Sequence, residues 1–252
     1  MVAFLPAPKG MLFDLGGTIL REVDYQPMLG ITQLFGRFRL RPGIDRESAQ
    51  ASSMGLLSEI RAKRDSEITE FPFQAWLRLI VERFFVDHSI SLADAELEFW
   101  KTSAVMEPQP GIASVLDRLT RLNIPTGIVS NAMFSAQVLE CELARHGFGN
   151  AFQFVMSSAD YGFQKPHPAI FDAAAARLGL HPREVWFTGD DYHNDVKGAR
   201  GAGMNVIWYN PSQAPPADDY PTVWVSDWAN FIESVASSVE SPNRTQRRDS
   251  GL

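Results

Sequence analysis

Residues 185–210 read VWFTGDDYHNDVKGARGAGMNVIWYN. Two short apolar runs frame this stretch, VWFTGD at 185–190 and NVIWYN at 205–210, each ending at polar residues. Continuous runs of this length, rich in valine, isoleucine and aromatics, are the pattern of strands buried on both faces of a parallel sheet. Between them stands an acidic cluster, Asp190, Asp191 and Asp195, followed by the glycines of GARGAG.

Further runs of the same kind lie on either side. MLFDL (11–15), TGIVSN (126–131) and FQFVMSS (152–158) precede this unit, and TVWV (222–225) follows it as a candidate sixth strand. Helical patterns alternate with them: GIASVLDRLTRL (111–122), FSAQVLECELARHG (134–147) and HPAIFDAAAARLGL (167–180), the last two with glycine stop signals near their ends. The alternation predicts an α/β fold, a Rossmann-like parallel sheet with helices on both faces. Residues 20–107 break the rhythm with mainly helical, aromatic-rich patterns such as FPFQAWLRLIVERFFVDH and no convincing strand. They read as an inserted helical cap, so the core comprises 1–19 and 108–236, with a polar, flexible tail at 237–252. Phe71, Phe73, Trp76, Phe84, Phe85, Phe99 and Trp100 could line a substrate pocket, but helical spacing favours packing for most of them, and none is assigned to a site.

The 252 residues are enough for a large buried core, and 45% apolar with 21% charged residues is ordinary for a globular chain. A net charge of −7 argues against a nucleic-acid surface, which needs clustered cations. No apolar run reaches the ~18–20 residues of a membrane span. The opening MVAFLPAPKG has neither the basic nor the long apolar region of a secretory signal, which leaves the cytoplasm as the expected location. The single cysteine, Cys141, cannot form an intramolecular disulfide and reads as an inert, half-buried helical residue.

In open parallel sheets the ligand crevice lies beyond the carboxyl ends of the strands. Four polar groups stand there: Asp14 with Gly16, Gly17 and Thr18; Ser130 and Asn131; Lys165 before Pro166; and Gly189 to Asp195. A phosphoryl group is a polyanion, so attack on it by a carboxylate requires a divalent cation, a lysine and hydrogen-bond donors. Asp14 as attacker, Asp190 and Asp195 as hard oxygen ligands or their orienting partners, Lys165 as neutraliser and Ser130 as donor supply those parts. Taken singly, each has an ordinary explanation as a cap, turn or surface loop; their joint order carries the inference.

FDLGGTIL, IVSNA, GFQKPHPAIF and FTGDDYHNDVKGARGAG resemble, in order and spacing, the four motifs of the haloacid dehalogenase-like superfamily. The resemblance covers essentially the whole chain, because the insertion falls where that family carries its C1-type helical cap. It implies a phosphatase of small phosphorylated metabolites in which Asp14 forms an aspartyl-phosphate. Thr18, Ser130 and Asn131 would belong to the phosphate-binding surroundings, and Lys165 would steady nucleophile and phosphate. Mg²⁺ would be held by Asp14, the backbone carbonyl of Gly16 and Asp190, with Asp195 bound through water or orienting the site. The acidic fourth motif favours the metal-using phosphatases over the metal-independent dehalogenases.

One position departs from the pattern. The family's phosphatases usually carry an acid–base aspartate two residues after the nucleophile, where this chain has Gly16. Asp191, His193 or a cap residue is then the candidate substitute, or the enzyme depends on good leaving groups. A non-catalytic phosphate or metabolite binder is the competing reading. A receiver-like signalling domain is disfavoured by chain order, since its acidic pair precedes the acceptor aspartate. GARGAG lies before its strand, unlike a dinucleotide-binding loop. His167, at a helix start, is expected to be structural.

Overall fold

The computed structural model describes residues 7–64, 68–87, 90–218 and 222–231. The residues read as a tail, 237–252, lie outside these, as does the end of the core from 232 to 236. Ten strands and nine α-helices are described: β1 (Gly10–Phe13), β2 (Leu20–Tyr25), α1 (Pro27–Arg37), β3 (Arg39–Leu40), α2 (Arg46–Arg64), α3 (Phe73–Phe84), β4 (Phe85–Asp87), α4 (Leu92–Ser103), β5 (Ala104–Pro108) and α5 (Ile112–Arg121) form the first half. There follow β6 (Thr126–Ser130), α6 (Ala136–Arg145), β7 (Phe154–Ser157), α7 (Ser158–Tyr161), α8 (Pro168–Arg177), β8 (Val185–Gly189), α9 (Gly198–Gly201), β9 (Asn205–Tyr209) and β10 (Val223–Val225).

Six strands form one sheet in the order β10-β9-β8-β1-β6-β7, and every pairing is parallel. Alternation along β1 explains why the sheet is covered twice. Met11 and Phe13 face a cluster with Ile112, Leu116 and Leu119 of α5 and Leu139 and Leu143 of α6, while Leu12 faces the opposite cluster with Phe171 and Ala174 of α8 and Ala199 of α9. Burial of apolar surface on both faces, at ~25 cal/mol per Å², is the main force holding β1 at the centre.

Helices α1 to α4 pack around a separate apolar cluster that includes Phe35, Phe73, Trp76, Phe85 and Phe99. Of the seven aromatics whose spacing favours packing, all but Phe71 are buried, and Phe71 is partly so. This cluster is not built from one stretch of chain. Met133, Phe134 and Val138, from the segment after β6, are members of it. Phe134 stacks on Phe73 with ring centroids 4.7 Å apart and meets Trp100 edge-on at 4.8 Å.

Residues 20–107 also hold strands where the sequence pattern shows only helices. β2 and β5 pair antiparallel and form the two chain crossings between sheet and helices, and β3 pairs with β4 in a second short ribbon. β2 is exposed along most of its length, so its LREVDY sequence lacks the apolar run of a buried strand, and its partner lies some eighty residues away. Among the described residues, no helix is long and apolar enough to cross a membrane.

Candidate active site

Chain order in the sheet runs outward from β1 in both directions, through β6 and β7 on one side and β8 to β10 on the other. The strand order therefore reverses beside β1, and there the crossover connections diverge and leave a crevice at the carboxyl edge. Asp14 follows β1, Ser130 ends β6 and Asp190 follows β8, so the topology alone brings three of the expected groups to one place.

Lys165 occupies the centre. Its Nζ donates to Asp14 Oδ1 and to Asp195 Oδ1, both at 2.6 Å, and all three side chains are almost wholly buried. Burial alone would lower the lysine's pKa, but the two carboxylates overcome it and hold the ammonium charged well beyond its usual range. Asp190 opens onto the crevice, and one of its oxygens accepts from Thr18 Oγ1 at 3.2 Å. Carboxylate oxygens of Asp14, Asp190 and Asp195 lie within 4.8 Å of one another. Crowding by protein atoms, reinforced by the Asp14 charge, pushes Asp190 up to about 6, and burial pushes Asp195 up to about 7 despite Lys165.

Three carboxylates against one ammonium leave two negative charges on a set of hard oxygen donors. That donor set suits a small divalent cation such as Mg²⁺. Gly16 is exposed on the floor of the same crevice.

Two glycines set the spacing. Gly17 has φ +80°, and a Cβ there would stand 2.2 Å from Asp190 Oδ2; a Cβ on Gly189 would stand 2.2 Å from Asp195 Oδ2. Only glycine lets the backbone approach these carboxylates so closely. Gly17→Ala is expected to cost about 1–3 kcal/mol of folding free energy, from left-handed strain and a displaced Asp190. Urea unfolding checks it; wild-type stability in the variant would show that the loop relaxes freely.

The remaining predicted residues divide. Ser130 is buried and lines the crevice. Asn131, expected in the phosphate-binding surroundings and to help fix the second loop, lines the crevice beside Ser130. Its Oδ1 accepts from Lys165 N at 2.7 Å and its Nδ2 donates to Lys165 O at 2.9 Å, a two-point clamp on the lysine's backbone. Thr18 is fully buried against Asp190. Asp191 caps the single π-turn Tyr192–Lys197, accepting from His193 N, Asn194 N and Asn194 Nδ2, so its carboxylate has a structural use; His193 is exposed. The π-turn carries Asp195 back so that its Oδ2 accepts from Asp191 N at 3.0 Å. His167 caps α8 and stacks on Phe163, a structural role as read.

Of the wall facing this edge, the sequence offered only Trp100, among the aromatics that could line a pocket. A cavity of about 370 Å³ lies between sheet and helices, lined by Gly16, Gly17 and Ser130 on one side and by Tyr25, Arg61, Arg64 and Trp100 on the other. Arg61 and Arg64 stand three apart near the end of α2, a spacing that puts both on one helix face. Glu70, fully buried, accepts from Arg64, from Phe71 N and from Ser158 Oγ, tying the helices to the end of β7.

Comparison with known proteins places the chain in a family. A family model described as haloacid dehalogenase-like hydrolase matches residues 11–209. The glyceraldehyde 3-phosphate phosphatase of Methanopyrus kandleri is 35% identical over 104 residues, covering 41% of this chain and 44% of that protein. The chain spans about half the length of the first curated relatives it matches. The namesake from Pyrococcus abyssi is 30% identical over 206 residues, covering 80% of this chain and 81% of its own. A crystal structure of a haloacid dehalogenase-type phosphatase from Thermococcus onnurineus shares the fold, with a TM-score of 0.61, 22% identity and coverage of 89% and 96% of the two chains. Because the family match runs from β1 through β9, well over half the sequence, the chain belongs to the haloacid dehalogenase-like hydrolase family.

Proposed function

We propose that the chain is a Mg²⁺-dependent phosphatase of small phosphomonoesters, cytoplasmic, with residues 20–107 acting as a cap over the crevice. The observation that carries this reading is the Asp14–Lys165–Asp195 arrangement with Asp190 beside it, a doubly negative oxygen cluster around one buried ammonium. The phosphatase names of the relatives that cover most of their length here support it.

Lys165 holds Oδ1 of Asp14, which orients the other carboxylate oxygen toward the crevice as nucleophile. That oxygen forms a bond to phosphorus as the ester oxygen–phosphorus bond breaks, and the departing alcohol takes a proton from water, since position 16 offers no side chain. A second water then attacks the phosphorus of the aspartyl-phosphate and yields its proton to the hydroxide left by the first step, as the bond between the Asp14 oxygen and phosphorus breaks to release inorganic phosphate and restore the carboxylate. The ammonium of Lys165 and the hydroxyl of Ser130 stabilise charge on the phosphoryl oxygens. Asp14, Asp190 and the Gly16 carbonyl would hold Mg²⁺, oriented by Asp195, and the cation supplies neutralisation of phosphoryl charge. Asn131 acts by fixing the backbone of Lys165.

Phosphate release from a panel of small esters and p-nitrophenyl phosphate, with Mg²⁺ or with EDTA, tests the reading. Activity is expected only with the metal. The metal must displace protons from Asp190 and Asp195, so its affinity is expected to rise through pH 6–7 and level off above, by up to ~10-fold per pH unit for each proton displaced. Both acids titrate higher here than in an unfolded chain. The metal-free protein therefore binds more protons folded than unfolded between about pH 4 and 7, and these two groups make it less stable as pH rises through that window. Metal-independent activity would refute the proposal. Stabilisation by phosphate without any turnover would support the binder that Gly16 also allows.

A further inference from the structure

We propose that Arg61, together with Tyr25, recognises a carboxylate on the leaving group, so that the preferred substrates are phosphorylated hydroxy acids; this rests on the phosphatase reading above. Arg61 lines the cavity whose opposite wall is the carboxyl edge of the sheet, so a group held there sits across from a phosphoryl group at Asp14. Its guanidinium lies 4.7 Å above the Tyr25 ring and makes no ion pair with a carboxylate among the described residues. The other acids and bases of the cavity contrast with it. Arg64 is matched to Glu70, and Glu142 accepts from Trp100, Arg145 and His146. Glu22, exposed on β2, is the remaining charge at the mouth.

Tyr25 supplies the second mark of a binding site. Its hydroxyl oxygen is buried and has no hydrogen-bond partner among the described residues, an arrangement that is costly unless something else supplies the partner. Burial pushes its pKa up to about 12, with Arg61 pulling it down and Glu22 pushing it up, so the hydroxyl remains a donor at neutral pH and both charges lie within its electrostatic reach. A carboxylate matches what is offered: the planar guanidinium fork gives two parallel N–H donors, and the phenol gives a third. The volume, about 370 Å³, stands near the lower end of the ~300–1,000 Å³ range of ligand pockets, which favours a short acid over a large one.

The test compares phosphoglycolate, ethyl phosphate and ethylene glycol bisphosphate as substrates of wild type, Arg61→Ala, Arg61→Lys and Tyr25→Phe, at saturating Mg²⁺. Arg61→Ala is expected to lower kcat/KM for phosphoglycolate roughly 10- to 100-fold, mostly through KM, while ethyl phosphate changes less than about twofold. Arg61→Lys should fall between, keeping the charge but losing the fork. Tyr25→Phe should lose part of the preference for phosphoglycolate yet melt at or above the wild-type temperature, because it removes an unpartnered hydroxyl. Equal losses on phosphoglycolate and ethyl phosphate, or no loss on either, would overturn the subsite. A larger Arg61 dependence for the bisphosphate than for phosphoglycolate would overturn its assignment to a carboxylate. If wild type cleaves none of the three, Mg²⁺-dependent release from p-nitrophenyl phosphate decides the phosphatase reading, and thermal shifts decide the subsite separately. Phosphoglycolate stabilising wild type more than ethyl phosphate does, with the difference lost in Arg61→Ala, supports it; no such difference overturns it.

Discussion

Replacing Asp14 by asparagine is expected to abolish Mg²⁺-dependent phosphate release, by at least about four orders of magnitude, the scale seen when an enzyme loses its nucleophile. The amide keeps the shape and still offers an oxygen to Lys165, so the loss isolates nucleophilicity. Among the described residues, no second carboxylate is placed to take over. Asp195 is buried and held by Lys165 and Asp191 N, and Asp190 is held by Thr18. The substitution also removes one of three crowded negative charges, so the metal-free variant should melt no lower than wild type. Initial rates on p-nitrophenyl phosphate, a search for phosphorylated protein by mass spectrometry and a melting curve read all three consequences. Turnover above about 1% of wild type in Asp14→Asn would remove Asp14 as the nucleophile.

Gly16→Asp should have the opposite sign. A Cβ at this position meets nothing within 4 Å, and its backbone is not in the left-handed region, so the first carbon of a side chain is accommodated without strain. This separates Gly16 from Gly17, one residue on, where a side chain collides with Asp190. The space for an acid–base group is present and its side chain is not. A positioned acid or base contributes roughly 10²- to 10⁴-fold, so Gly16→Asp is expected to raise kcat for alkyl phosphates by about that factor. Aryl phosphates, whose leaving groups need no proton, should gain far less. Comparable wild-type rates on both ester classes, with no gain in the variant, would mean that another side chain already supplies the proton. Asp191 is a poor candidate for that task because three N–H donors hold its carboxylate as a cap.

The parallel sheet was legible because its strands are buried on both faces, and such strands announce themselves as unbroken apolar runs such as VWFTG and GMLF. Asp14, Ser130 and Asp190 were legible for a related reason: in this topology, a polar residue at a strand end has one place to go; Lys165 and Asp195, which stand beyond the ends of β7 and β8, were legible through the joint order of the motifs. What escaped the sequence depends on partners distant in the chain. β2 and β5 form a mostly exposed pair whose hydrogen bonds lie across the whole insertion. The resemblance implies that Asn131 helps fix its loop, but the partner it clamps, the backbone of Lys165, is a tertiary contact 34 residues away. Arg61 sits on a helix, RESAQASSMGLLSEIRAKR, in which no motif marks one basic residue from another, and only the packing of that helix over the sheet edge brings Arg61 and Arg64 to a cavity.

The placement of Met133, Phe134 and Val138 in the apolar cluster of α1 to α4 bears on how such a protein can be taken apart or rebuilt. The insertion is contiguous in sequence, yet its hydrophobic interior is completed by side chains that belong to the other part of the chain. Excised at its sequence borders, it would expose the faces of Phe73 and Trp100 that Phe134 covers, at roughly 1.5–3 kcal/mol for one large side chain. Grafting a different helical insert onto this sheet would likewise leave Phe134 without a socket. The unit of inheritance here is therefore the insert together with the segment after β6, and a chimera that respects only the chain crossings divides a single interior between two parents.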